Sequence, residues 1–220
     1  MSSLLTIRQK KFLKLFSANK KISDNFYLTG GTALTEFYIP YRHSEDLDFF
    51  SEKEIEKDLI TTFIRAIKNE LNYRSFDINT SFNRNLVFLN FTDKVLKLEF
   101  TYFPFPPIEK PLVKKGLKID SILDIAVNKL FTIYQKPRSR DFMDLYMINK
   151  RYRYKMAGLK RKARIKFDWH IDPIKLGSQF LLASELKDYP RLARELNPKL
   201  WQNYFRTEAK KLEEKIFEKD

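Results

Sequence analysis

Gly30-Gly31-Thr32-Ala33-Leu34 is followed, a short helix's length later, by Arg42-His43-Ser44-Glu45-Asp46-Leu47-Asp48-Phe49-Phe50. Glycines let a backbone come close to a ligand, and the free N–H groups at the start of a helix favour an anion such as a triphosphate. Asp46 and Asp48 are two residues apart. On a strand both would project from one face, with Leu47 and Phe49 turned to the core. Two carboxylates so close repel one another unless a cation lies between them, and hard oxygen ligands of this kind suit Mg²⁺ or Mn²⁺. The chemistry expected is that of a metal-bound nucleoside triphosphate. Thr32, with the N–H groups near Gly31, is expected to cradle the β- and γ-phosphates. Arg42 and Ser44 are expected to contact phosphate or the metal shell. His43 lies between them, but strand alternation turns it away and no triad partner is evident, so it reads as structural. A lone Gly-Gly is more often a turn and a lone Asp-x-Asp a solvated strand end; their order and spacing carry the reading.

The surrounding pattern supplies the elements that must hold these groups. Phe26-Tyr27-Leu28 predicts a strand ending at the glycine pair, a helix follows over 32–38, and Pro40 closes it. Leu47 to Phe50 predicts a second strand. An amphipathic helix carrying Ile7, Phe12, Leu15 and Phe16 opens the chain. Ile55, Leu59, Phe63 and Ile67 recur every four residues as a helical stripe. Phe76 and Ile78 alternate in a strand, Leu86 to Phe91 reads as a buried strand, and a further strand covers 95–103. Pro104, Pro106, Pro107 and Pro111 break the pattern, and everything beyond them reads helical, ending in a charged helix with Trp201, Phe205, Ala209, Leu212 and Ile216. The expectation is an α+β fold: a core lobe over 1–110 with a small mixed sheet flanked by helices, and a helical lobe over 111–220.

Lys129 interrupts a helical stripe of Ile122, Ile125, Ala126 and Ile133 on a helix expected over 121–134. A lysine there either packs its stem and reaches water or meets a phosphate. The neighbouring motifs favour the phosphate.

GGTAL at Gly30 to Leu34 and R-x-S-x-D-x-D-F at Arg42 to Phe49 resemble the nucleotidyltransferases of the polymerase-beta-like superfamily, and more closely its AbiEii branch of abortive-infection and toxin–antitoxin systems. The resemblance implies a third metal-facing acid on a later strand. Glu99 matches, alternating with Leu98 and Phe100. It also implies an inward lysine, matched by Lys129, and a K/R-D-x-x-D-L-Y segment, matched by Arg140-Asp141-Phe142-Met143-Asp144-Leu145-Tyr146. Asp141 joins the catalytic set on that basis, although an acid in a helix's first turn is also favoured by the dipole alone. Asp144 reads as structural, paired with Arg140 or Arg138. The resemblance implies transfer of an NMP from an NTP to an acceptor hydroxyl, commonly a tRNA 3′ end. The alternatives are a protein or small-molecule hydroxyl, or a decayed binding module. It further implies a cognate antitoxin.

Composition agrees. The chain has 220 residues, no cysteine and two histidines, which leaves no disulfide framework and no thiolate zinc site. No apolar run approaches membrane-spanning length, and Met1-Ser2-Ser3-Leu4-Leu5 runs into a charged helix, so a cytoplasmic protein is expected. The formal net charge is +14. Much of it lies in Lys150, Arg151, Arg153, Lys155, Lys160, Arg161, Lys162, Arg164 and Lys166, with no acidic residue among them. Tyr152 and Tyr154 are interleaved. Such a run is commonly a solvated connector, yet it offers phosphate neutralisation and base stacking together. Arg151, Tyr152, Arg153, Lys160, Arg161, Lys162 and Arg164 are the candidate RNA contacts, with an acidic protein as the second kind of partner.

Overall fold

The computed structural model describes residues 3–217, and their side chains up to 213. The chain divides into two compact units, Met1–Ser121 and Ile122–Asp220.

The first unit runs α1 (Ile7–Ala18), α2 (Lys20–Ser23), β1 (Tyr27–Thr29), α3 (Gly30–Phe37), β2 (Leu47–Ser51), α4 (Lys57–Ala66), α5 (Lys68–Leu71), β3 (Ser75–Ser81), β4 (Arg84–Asn90), β5 (Val95–Tyr102), β6 (Leu112–Lys114) and β7 (Leu117–Ile119). All seven strands form one mixed sheet in the order β3-β4-β5-β2-β1-β7-β6. Burial alternates along its central strands. Leu47 and Phe49 of β2 and Leu96, Leu98 and Phe100 of β5 are buried, while Asp48, Lys97 and Glu99 are half-buried on the opposite face. An aromatic cluster fixes that choice: the Phe49 ring stacks on Phe16 at 4.3 Å and on Phe100 at 5.2 Å, and Phe12 and Phe63 close around them. Because side chains alternate with a period of two, burying Phe49 and Phe100 forces Asp48 and Glu99 to the other face.

Several elements differ from expectation. β6 and β7 form a hairpin beyond the prolines, so the segment after Pro111 is not wholly helical, and the compact units divide after Ser121 rather than at 110/111. Lys115 and Gly116, with φ of 49° and 77°, supply the two left-handed turn residues that such a tight hairpin needs. In α1, Leu13 is buried while Ile7 is 84% exposed and Leu15 only half-buried. α4 begins after Ile55, and its buried stripe is Ile60, Phe63 and Ile64, with Ile67 following. β4 alternates instead of being buried throughout, as expected of an antiparallel strand with one covered face.

The second unit is helical: α6 (Ile122–Gln135), α7 (Ser139–Tyr152), α8 (Met156–Phe167), α9 (Pro173–Leu181) and α10 (Pro198–Phe217), with a short 3-10 turn at Leu182–Ser184. Phe142, Phe180, Trp201 and Phe205 fill its core, with Phe142 edge-on to Phe205 at 4.8 Å. Trp201, Phe205 and Ala209 of α10 are buried as the periodicity required, Leu212 is half-buried, and the side chain of Ile216 lies outside those described.

Candidate active site

The sheet register assembles the first-unit carboxylates. β2 runs parallel to β5 with Asp48 directly opposite Glu99, and antiparallel to β1 with Asp48 opposite Thr29. Asp46 precedes β2 rather than lying in it. Gly30 opens α3 at φ 70°, and a Cβ there would overlap the Asp48 carboxylate, with Asp48 Cγ only 3.1 Å away. At Gly31 a Cβ would meet Ser44 Oγ at 2.9 Å and the Arg42 guanidinium. The glycines therefore give Asp48, Arg42 and Ser44 room to gather against the start of α3, as the motif spacing predicts. Arg42 is buried, and its Nη1 donates to the His43 carbonyl at 2.9 Å. Thr32 is fully buried, and its hydroxyl donates to the Asp46 carbonyl at 2.5 Å. Its side chain is thus engaged in tying α3 to the Asp46 loop, instead of being turned to a phosphate.

Gly30→Ala is expected to disturb this corner more than it disturbs the fold. A left-handed residue with a Cβ costs roughly 1–2 kcal/mol, and the Cβ would also push the Asp48 carboxylate from its place. Transfer activity should fall by more than the loss of melting temperature explains; a proportionate fall in both would show that the glycine serves folding alone.

Two positioning residues carry no motif. Gln9 of α1 is 1% exposed; its side chain completes a capping box with Thr6, and its Nε2 donates to the carbonyls of Ser44 at 2.9 Å and Glu45 at 3.1 Å. The T-x-x-Q spacing signals the cap but not the loop it holds. Asp120, at the end of β7, is buried; its Oδ2 accepts from Thr29 Oγ1 at 2.6 Å, and its carbonyl accepts from Tyr38 at 2.8 Å. Asp120 thereby fixes both ends of the glycine turn and α3.

The carboxylates also have basic neighbours. Lys97 Nζ is 3.1 Å from Asp46 Oδ2, and Glu99 Oε1 accepts from Arg84 Nε and Thr101 Oγ1, each at 3.1 Å. Among the described residues no group of three acidic or histidine side chains converges as a ready-made metal cage. The donor set nevertheless fits a hard divalent cation: all three groups are carboxylates, two are register partners, and the missing Cβ of Gly30 lets the Asp48 carboxylate lie against the start of α3. A cation binding there would replace Lys97 and Arg84 as the charge partners.

The second unit holds Lys129 and Asp141. Lys129 is 8% exposed, and its ammonium lies 2.7 Å from both Asp141 Oδ1 and Asp144 Oδ2, each fully buried. Arg138 Nε contacts the other Asp141 oxygen at 3.0 Å. Asp144 thus pairs with Lys129, a partner that the sequence expectation of Arg140 or Arg138 did not name. Burial pushes the Asp141 carboxyl pKa up, but the Lys129 and Arg138 charges and the Lys129 hydrogen bond together outweigh it against repulsion from Asp144, so the net shift is downward. An ammonium held between two carboxylates has no surplus charge for a phosphate, which makes Lys129 an internal counter-ion in this geometry.

The basic segment spans the end of α7 and all of α8. Arg151, Arg153, Arg161 and Arg164 are exposed, Lys160 and Lys162 half-buried. Lys166 leaves the set: it is buried, with Nζ 2.6 Å from the buried Asp124. Tyr152 and Tyr154 stack on each other with centroids 6.0 Å apart.

No helix among the described residues is long and apolar enough to cross a membrane. An uncharacterised protein of Aquifex aeolicus (strain VF5) is 30% identical over 151 residues, covering 66% of this chain and 68% of that protein. Two solved structures share the fold. A putative nucleotidyltransferase from H. pylori has a TM-score of 0.62 at 24% identity, covering 100% of this chain and 99% of that one. JHP933 from Helicobacter pylori has a TM-score of 0.60 at 24% identity, covering 99% and 96%. The family model described as "Nucleotidyl transferase AbiEii toxin, Type IV TA system" matches residues 13–218. The glycine turn, the Arg42–Phe49 stretch and nearly the whole length of the chain thus agree on one assignment: the chain belongs to the AbiEii family of nucleotidyltransferase toxins.

Proposed function

We propose that the chain transfers an NMP from an NTP to a hydroxyl on RNA, with the tRNA 3′ end as the leading acceptor, in a reaction that requires Mg²⁺ or Mn²⁺. The observation that carries the reading is the register pair Asp48–Glu99 beside a glycine turn whose missing Cβ lets the Asp48 carboxylate pack against the start of α3. Asp46, Asp48 and Glu99 would hold the divalent cation, which neutralises triphosphate charge and makes the acceptor hydroxyl more acidic. N–H groups at the start of α3 and the Arg42 guanidinium bind phosphate oxygens. The acceptor oxygen attacks the α-phosphorus, the bond from that phosphorus to the α,β-bridging oxygen breaks, and pyrophosphate leaves with its electron pair. The hydroxyl proton passes to a carboxylate of the set. Gln9 and Asp120 hold the loop and the turn in place while charge shifts. In the second unit the exposed arginines of α7 and α8 contact RNA phosphates. A cognate antitoxin completes the biological context.

Lys97 competes with the cation for Asp46 on this account. Lys97→Met is expected to tighten Mn²⁺ binding, measured calorimetrically without NTP, by up to roughly fivefold, the scale of a partly exposed ion pair. Unchanged or weaker binding would remove Asp46 from the ligand set.

The acceptor is tested by incubating purified protein with Mg²⁺ or Mn²⁺, each α-labelled NTP in turn, and total cellular RNA with lysate protein. A labelled RNA band supports the reading. A labelled protein band would replace RNA with a protein hydroxyl, and absence of both labelling and NTP binding would indicate a binding module.

A further inference from the structure

We propose that the hollow at the C-terminal end of α8 is a stacking site for an unpaired base of single-stranded RNA, with Trp169 as its platform; the proposal rests on the RNA reading above. The hollow has a volume of about 450 Å³ and is lined by Arg164, Ile165, Asp168, Trp169 and His170. Trp169 is 54% exposed and Ile165 73% exposed. Arg161, Arg164 and Ile165 stand at i, i+3 and i+4 on α8 and are all exposed, so one outward stripe carries two guanidiniums and leads to an apolar surface. Asp168 ends the helix at φ 44°, and the Trp169 N–H donates back to the Arg164 carbonyl at 3.2 Å. The Trp169 backbone is therefore anchored beside Arg164, at the edge of the hollow that the indole lines.

The combination selects the ligand. Two exposed apolar side chains, Ile165 and Trp169, beside a strongly basic stretch match a polyanion that also carries flat apolar groups. Arg164 and Arg161 can meet phosphates, Trp169 and Ile165 can cover a base face, and Asp168 and His170 can address a base edge. The tyrosines of the same segment are less suited, since Tyr152 and Tyr154 are half-buried and already stacked on each other. Among the described residues the Trp169 ring stacks on no other ring.

The chain has two tryptophans, and Trp201 is 0% exposed, so a fluorescence change on ligand binding reports on Trp169. The full chain is titrated at low salt with a single-stranded 12-nucleotide oligoadenylate and, separately, with heparin, a polyanion without bases. Oligoadenylate is expected to quench emission and heparin to bind without comparable quenching. Trp169→Ala, whose fold is checked by thermal melting, should abolish the quench and weaken oligoadenylate binding, followed by anisotropy, about tenfold or more. Oligoadenylate binding with neither quench nor sensitivity to Trp169→Ala overturns the site and leaves the RNA reading intact. Equal quenching by heparin overturns stacking in favour of charge alone. No oligoadenylate binding by the unaltered chain overturns the RNA reading itself.

Discussion

Asp48→Asn is expected to lower nucleotidyl transfer by at least about a thousandfold with the fold intact. Asp48 is the carboxylate opposite Glu99 in the register and the group that Gly30 makes room for. Replacing it with a neutral amide of the same shape would remove one of the three proposed cation ligands without opening a cavity. A bound cation contributes several kcal/mol of charge stabilisation in the transition state, and each 1.36 kcal/mol is a factor of ten in rate. The fold should tolerate the change because Phe49, not Asp48, faces the aromatic core. Circular dichroism and melting should match the unaltered chain, while the rise in melting temperature expected of the unaltered chain with Mn²⁺ and NTP should be absent. Activity within tenfold of the unaltered chain would show that Asp48 holds no cation in the reaction.

Lys129→Met should destabilise the second unit by about 3–5 kcal/mol, because it removes the counter-ion that two buried carboxylates share. Asp141 and Asp144 are fully buried and share that ammonium. Arg138→Met should cost far less, since Arg138 is 47% exposed and leaves Lys129 in place. The same cluster sets a pH dependence. The folded-state pKa of Asp141 lies below its unfolded value of 3.8, so its contribution is fully present above that value and is lost as pH falls through the depressed folded value. Without Lys129, burial dominates and raises the Asp141 pKa, so the acid loss of stability should begin at a higher pH. Urea unfolding between pH 3 and 7 measures both effects. A cost below 1 kcal/mol at neutral pH would show that Lys129 is not the internal counter-ion.

The glycine turn and the Asp48 strand were legible in the sequence because both are local: a φ-permissive pair before a helix, and a strand whose alternation chooses its buried face. What the sequence hid depends on distant partners. Nothing near Gln9 reveals that its amide will hold the Ser44–Glu45 loop, and Asp120 acquires its meaning only when β7 pairs beside β1. Lys166 looked like one more surface cation, but its partner Asp124 lies two helices earlier. Lys129 was recognisable as out of place on an apolar stripe, yet its two carboxylate partners are set by how α7 packs on α6. The β6–β7 hairpin was masked by the prolines before it, even though Lys115-Gly116 between alternating apolar residues is a turn signal. Along α4 and its C-cap, Phe63 and Ile67 are buried as the repeat implies, but Ile60 and Ile64 join them while Leu59 is only half-buried, a broader face that a four-residue repeat alone does not reveal.

The most direct test of the central claim compares NTP labelled at the α-phosphate with the same NTP labelled at the γ-phosphate, in the presence of Mg²⁺ and the preferred acceptor. Nucleotidyl transfer predicts α-label on the acceptor, γ-label only in released pyrophosphate, and equal amounts of acceptor product and pyrophosphate. Label from the γ-phosphate on the acceptor, or free phosphate in place of pyrophosphate, would contradict it.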